Sequence, residues 1–132
     1  MCFVELVPMY DTNAIVLFDS GATHSFVASS FVKAHNLVIT KDEKGWNISI
    51  PTGINQVDIW VCKRRPITLG HLTLPADLIM LDMKEFDIIL GMDWLSKHYV
   101  FIDCRKKRII FKIPEEGTCY YEGIKLTTPE AS

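Results

Sequence analysis

The stretch Ala14-Ile15-Val16-Leu17-Phe18-Asp19-Ser20-Gly21 decides how this chain reads. Five apolar residues in a row, stopped by a carboxylate, a hydroxyl and a glycine, indicate a strand buried on both faces and closed by a turn. A carboxylate at that point is supported by the packing of the strand yet able to face a cleft. Ser20 can hydrogen-bond nearby backbone, and Gly21 lets the chain turn and a ligand come close. By itself the tripeptide reads more readily as an Asx-type turn that ends a strand.

Downstream the pattern changes period. Val27, Phe31 and Ala34 fall at helical spacing beside Phe26, which predicts a helix over residues 25–36 with Thr23 or Ser25 as its cap. Trp46, Ile48 and Ile50, then Val57, Ile59 and Val61, alternate with polar residues and predict a hairpin turning near 51–55. Residues 66–69 and 72–74 flank Gly70-His71 as a second hairpin, and 78–81 form a further strand. Ile88-Ile89-Leu90 is a short apolar strand ended by Gly91. Met92 to Lys97 suits a short helix, and 100–112 holds two strands around the basic turn Arg105-Lys106-Lys107-Arg108. Many short strands with few helices predict a mostly β domain.

Composition narrows the function. With 132 residues, 48% of them hydrophobic, the chain is long enough to bury a real core and too apolar for disorder. It reads as one domain, with a core over about 14–112 and flanking tails at 1–13 and 113–132. Fourteen Lys and Arg against sixteen Asp and Glu leave a net charge of −2, which offers nucleic acid or an acidic membrane no global attraction. There is no apolar run of bilayer length and no basic N-terminus followed by an apolar stretch. Cys2, Cys62, Cys104 and Cys119 form no C-x-x-C pair and read as free thiols in a reducing compartment. His24, His35, His71 and His98 lack metal-ligand spacing, so neither metal nor other cofactor is expected.

Asp-Ser-Gly-Ala-Thr-His-Ser-Phe at 19–26, joined with Phe-Asp-Ile-Ile-Leu-Gly-Met-Asp-Trp-Leu at 86–95, resembles the retropepsin-like aspartic proteases, in particular those of gypsy-type long-terminal-repeat retrotransposons. The resemblance extends over residues 14–112. It implies a retropepsin-like half-barrel with one or two short helices, active as a two-fold homodimer on a peptide or polyprotein substrate, in the cytoplasm or inside virus-like particles. It makes Asp19 the catalytic aspartate and Ser20 the hydroxyl that braces the paired loops of two subunits. Gly21 would let substrate backbone pass the carboxylate, and Ala22, Thr23 and His24 would continue the cleft floor. Pro51, Thr52, Gly53 and Ile54 would form the flap tip, while Ile89 would line an apolar specificity pocket and Leu90 and Gly91 would support the active-site loop. Thr23 stands where retroviral enzymes carry a substrate-contacting aspartate, and the flap tip holds fewer glycines than theirs.

Elementary chemistry arrives at the same count of parts. Metal-free hydrolysis of a peptide without a covalent intermediate needs a base to activate water and an acid for the leaving nitrogen. Two carboxylates that share one proton supply both, because like charges in contact cannot both ionise. The chain holds one D-[S/T]-G; Asp11-Thr12-Asn13 lacks the glycine and precedes the strand. The second carboxylate must come from a symmetric copy.

Other arrangements are poorer. Ser20, Ser25 or Ser29 with His24 or His35 lacks a G-x-S-x-G elbow for a serine hydrolase. Cys104 beside the basic turn reads as a solvated β-turn before it reads as a reactive thiol or nucleic-acid patch. Asp93 reads as a helix-capping or solvated group, and Trp46, Trp60 and Trp94 as core or interface residues. The main alternative is a non-catalytic module that keeps the fold for dimerisation or peptide binding. A gag-type nucleic-acid-binding fragment is disfavoured by the missing C-x-x-C knuckle.

Overall fold

The apolar run at 14–18 is a strand, and the reason it needs apolar residues on both faces is its position between two cores. The computed structural model describes residues 3–9, 12–42, 58–115, 117–122 and 124–125. Within them the order is β1 (Phe3–Met9), β2 (Thr12–Phe18), β3 (Phe26–Ala28), α1 (Ser29–Ala34), β4 (Thr40–Asp42), β5 (Ile59–Leu69) and β6 (Leu72–Leu81). Then follow β7 (Ile88–Leu90), α2 (Met92–Lys97), β8 (Val100–Asp103), β9 (Arg108–Ile113), β10 (Gly117–Tyr121) and β11 (Ile124–Lys125). Eight strands form one sheet in the order β11-β1-β2-β7-β3-β6-β5-β4, and three form a second in the order β10-β9-β8. The protein is therefore mostly β with two short helices.

The centre of the larger sheet positions the site. Strand β7 lies parallel to β2, pairing Val16 with Ile88 and Phe18 with Leu90, and antiparallel to β3, pairing Phe26 with Ile89. The chain therefore leaves β2, crosses over the end of β7 and re-enters the sheet on its far side. Alternate residues of these strands serve different cores. Val16, Phe18, Ile88 and Leu90 join a large cluster with Trp94, Leu95, Ile109 and Phe111. Leu17, Phe26 and Ile89 join a smaller one with Ile59, Val61, Ile79 and Leu81. Each fully buried side chain of this size contributes about 1.5–3 kcal/mol, which is what selects an unbroken apolar run over an alternating one.

The structure departs from the sequence expectations at identifiable places. The helix expected over 25–36 begins only at Ser29, because Phe26–Ala28 pairs with β7 on one side and with β6 on the other. Neither Thr23 nor Ser25 caps it; the cap position is Ala28, with no side-chain bond. The strand expected at 78–81 is the end of the longer β6, which pairs with β5 through Pro66 opposite Pro75. A bulge between Cys62 and Arg65 bends β5, and the Arg64 N–H donates to Asp77 Oδ1 at 2.8 Å. The turn at Gly70-His71 is observed, with Gly70 at φ +64° as a tight hairpin requires. Residues 3–9 and 117–121, inside the stretches read as tails, are strands. The hairpin turn at 51–55 and Trp46 lie outside the described residues. Trp94 is buried and its Nε1 donates to the Leu74 carbonyl at 3.2 Å, whereas Trp60 is exposed.

Cysteine chemistry is also corrected in part. Cys62 and Cys119 are free thiols, but Cys104 is disulfide-bonded. Burial pushes the Cys62 thiol up, with the neighbouring Arg65 charge opposing the shift. At neutral pH an alkylating reagent should therefore modify half-buried Cys119 well before Cys62. Mass mapping of the labelled peptides checks this; equal rates at both thiols would contradict the packing around Cys62. Among the described residues no helix is long and apolar enough to cross a membrane.

Candidate active site

Asp19 is the first residue beyond β2, at the point where the chain turns across β7. Its N–H donates to the Leu90 carbonyl at 3.0 Å, extending the β2–β7 pairing by one more bond. The Ala22 N–H then donates to the Asp19 carbonyl at 3.2 Å, and the Gly21 N–H donates to Asp19 Oδ1 at 2.8 Å. The Asx turn foreseen as the plainer reading is thus present, and it has a chemical consequence. It fixes one carboxylate oxygen, so the half-buried side chain is oriented by backbone. Positive φ among the described glycines falls at Gly70 and Gly117, so Gly21 turns the chain without the left-handed region.

The loop from Asp19 to Ser25 is locked to the segment after β7 by a set of short bonds. The Met92 N–H donates to the Ala22 carbonyl at 2.7 Å and the Asp93 N–H to the Thr23 carbonyl at 3.3 Å. Gly91 sits between them. A Cβ there would stand 2.7 Å from the Ala22 carbonyl oxygen and closer still to that of His24. Glycine is required for this approach of two backbones, and a turn has nothing to do with it.

Ser25 is neither a helix cap nor a nucleophile; it joins the active-site loop to the segment after β7. Fully buried, it accepts the Gly91 N–H at 3.0 Å through Oγ and donates to Asp93 Oδ1 at 2.6 Å. The same Asp93 oxygen accepts the Trp94 N–H at 2.8 Å. Asp93 is not the cap of α2, which is Gly91 without a side-chain bond; it stands in the first turn and ties that helix to the active-site loop. Asp87 is likewise structural: its Oδ2 accepts the Ile15 N–H at 2.8 Å, and its own N–H donates to the Ile15 carbonyl. Removing the Ser25 hydroxyl in Ser25→Ala should cost about 1–3 kcal/mol, since it leaves a buried N–H unmatched. A denaturant titration checks the value, and an unchanged midpoint would contradict the proposed lock.

The remaining candidates fall into two groups. Thr23 and His24 follow on the same loop, where Thr23 Oγ1 and His24 Nδ1 share a hydrogen bond of 2.9 Å. Ile89 is buried in the smaller cluster, against which the half-buried Ala22, Met83 and Phe86 also pack. Met83 carried no signal in the sequence, since it is a lone apolar residue between Asp82 and Lys84, and Phe86 entered only as the first residue of the motif at 86–95. Ser20 is exposed and lies away from that cluster, beside α2 and β8. Pro51, Thr52, Gly53 and Ile54 lie outside the described residues. No three of His, Cys, Asp and Glu converge as metal ligands among the described residues.

Comparison with known proteins gives a consistent family. A family model described as retroviral aspartyl protease matches residues 2–117. DNA damage-inducible protein 1 of Neurospora crassa is 25% identical over 115 residues, covering 87% of this chain and 26% of that protein. Its counterpart in Chaetomium globosum is 26% identical over 132 residues, covering 99% of this chain and 29% of that protein. The chain thus spans little more than a quarter of the length of these curated relatives, neither of which is a retrotransposon polyprotein. Among solved structures, the retroviral protease-like domain of Ddi1 from Leishmania major superposes with a TM-score of 0.60. At 15% identity, over 96% of this chain and 98% of that one, this shows a shared fold.

Proposed function

The chain belongs to the retroviral aspartyl protease family, and from that premise we propose that it is an aspartic endopeptidase to which two copies each contribute Asp19. The observation that carries this reading is the placement of Asp19 where β2 ends over β7, with one oxygen held by the Gly21 N–H. Asp87 and Asp93 serve the scaffold instead: Asp87 Oδ2 holds the Ile15 N–H of β2, and Asp93 Oδ1 takes both the buried Ser25 hydroxyl and the Trp94 N–H. In a pair that shares one proton, the ionised member takes a proton from water as the water oxygen attacks the scissile carbonyl. The protonated member then donates to the nitrogen, and the C–N bond breaks.

The substrate would lie as an added strand along the loop 21–24, under a flap formed by Pro51, Thr52, Gly53 and Ile54. Apolar residues are favoured at the scissile bond, because Ala22, Met83 and Phe86 stand half-buried on the apolar cluster of Ile89. Ser20 would brace the two loops across the two-fold axis. A polyprotein substrate would rest only on the resemblance of residues 19–26 and 86–95 to gypsy-type enzymes. The relatives named DNA damage-inducible protein 1 favour a peptidase acting within a larger protein. Incubation with a peptide library, with and without a pepstatin-like hydroxyl-bearing mimic of the tetrahedral centre, tests the reading. Cleavage at apolar pairs, stopped by the mimic, is expected. A dimer that cleaves nothing and binds no mimic would leave the non-catalytic module as the correct account.

A further inference from the structure

We infer that the outer face of the sheet β10-β9-β8 binds single-stranded nucleic acid, with bases stacked on Phe101 and Tyr120 and phosphates along the basic turn at 105–108. This surface is apart from the cleft, and its role does not depend on catalysis at Asp19. The alternation of the strands defines it. Val100, Ile109 and Phe111 are buried in the large core, and Ile102, Cys119 and Tyr121 pack against it. The residues between them face solvent. Register then sets Phe101 opposite Ile110 and Ile110 opposite Tyr120, so one row crosses all three strands. Phe101 at 52% and Tyr120 at 56% are the most exposed Phe, Tyr or Trp side chains among the described residues. With strands about 4.8 Å apart, their rings stand about 10 Å apart, and the half-buried Ile110 lies between them.

Positive charge borders this row on both sides. Arg108 and Lys112 hold the alternate positions of β9 on the same face. The Arg108 guanidinium lies 4.2 Å from the Tyr120 ring centroid, and the Lys112 ammonium 5.3 Å from that of Phe101. Arg105, Lys106 and Lys107 continue the charge through the exposed β8–β9 turn. Asp103 stands 3.9 Å from Arg108 Nε, too far to occupy it with a hydrogen bond, and its Oδ1 accepts the Lys106 N–H. Five of the chain's fourteen Lys and Arg thus fall within residues 105–112, a stretch that holds no carboxylate. The rest of the chain then carries −7, against −2 for the whole. A near-neutral total therefore conceals a basic face on an acidic body.

A single strand of nucleic acid uses every part of this surface. Each base offers a flat face to stack on a ring, or on a guanidinium that already lies over one, and each nucleotide brings a phosphate to the cations. The spacing of the two rings leaves room for a further base over Ile110. An acidic polypeptide would engage the cations alone, because the negative ring faces repel carboxylates. A duplex keeps its bases stacked inside and would likewise leave the rings unused.

Fluorescence anisotropy of a labelled oligothymidine, about 20 nucleotides long, titrated with the full chain tests this directly. Binding is expected at low salt, and the logarithm of its constant should fall with the logarithm of salt by about 0.7 for each phosphate contacted. Tyr120→Ala should weaken binding about tenfold without changing that slope, as the loss of one stack requires. Lys107→Asn combined with Lys112→Gln should flatten the slope by about 1.4, the value for two phosphate contacts. Asparagine suits position 107 because Lys107 lies at φ +52°. Near-UV circular dichroism reports whether each variant keeps its fold. No binding at low salt, or binding that Tyr120→Ala leaves unchanged, overturns the inference. Polyglutamate that binds as tightly as the oligonucleotide, charge for charge, also overturns it and assigns the face to an acidic polypeptide.

Discussion

Asp19→Asn should lower kcat/KM by more than about a hundredfold, the usual minimum for loss of a positioned acid–base group, and leave folding and dimerisation intact. The separation is built into the local bonds. Asparagine keeps the Oδ1 that accepts the Gly21 N–H, and the backbone bonds of residue 19 to Leu90 and Ala22 do not involve the side chain. The unfolding midpoint should therefore move by no more than about 0.5 kcal/mol. Parallel measurements of peptide cleavage and urea unfolding check both halves. Wild-type rates from the variant would remove Asp19 from the chemistry. An unfolded variant would instead assign the carboxylate a structural role.

The second large effect concerns a residue with no reactive group. Gly91→Ala should destabilise the fold by about 3 kcal/mol or more, at the upper end of overpacking, and abolish activity with it. The added Cβ meets the carbonyls of Ala22 and His24, which are backbone and cannot swing aside. Yielding there would pull the active-site loop off β7 and break the bond from the Met92 N–H to the Ala22 carbonyl. Gly117→Ala provides the comparison, since a Cβ at that position meets nothing within 4 Å and only its φ of +77° is disfavoured. That variant should lose about 1 kcal/mol. Equal losses at the two positions would show that crowding at Gly91 is not what glycine relieves.

The parts of the fold legible in the sequence are those in which local pattern and tertiary role agree. The runs at 14–18 and 88–90 are apolar throughout because each strand lies between two cores, and the helix at Met92–Lys97 follows a glycine. Elsewhere tertiary pairing outweighed the local signal. Val27, Phe31 and Ala34 are helically spaced, but Phe26–Ala28 is held as strand from both sides. Strand β1 was hidden because its inward positions run Glu5, Val7, Met9, and a buried carboxylate spoils the apolar alternation. The strands read separately at 66–69, 72–74 and 78–81 belong to one continuous pair, in which Pro66 faces Pro75. At the site, Asp19 and Gly91 could be found from sequence, each next to an apolar strand. Ser25 could not, because its partners Gly91 and Asp93 are brought to it only by the crossing of β7.

Subunit mixing tests the shared site most directly. A fixed amount of wild-type protein is assayed with increasing Asp19→Asn protein, at concentrations where both are dimeric. If each active site needs Asp19 from two copies, a ninefold excess of the variant should reduce cleavage to about one-tenth, following random assortment of subunits. Cleavage that stays constant throughout the titration would mean that one chain carries a complete site, and would contradict the account.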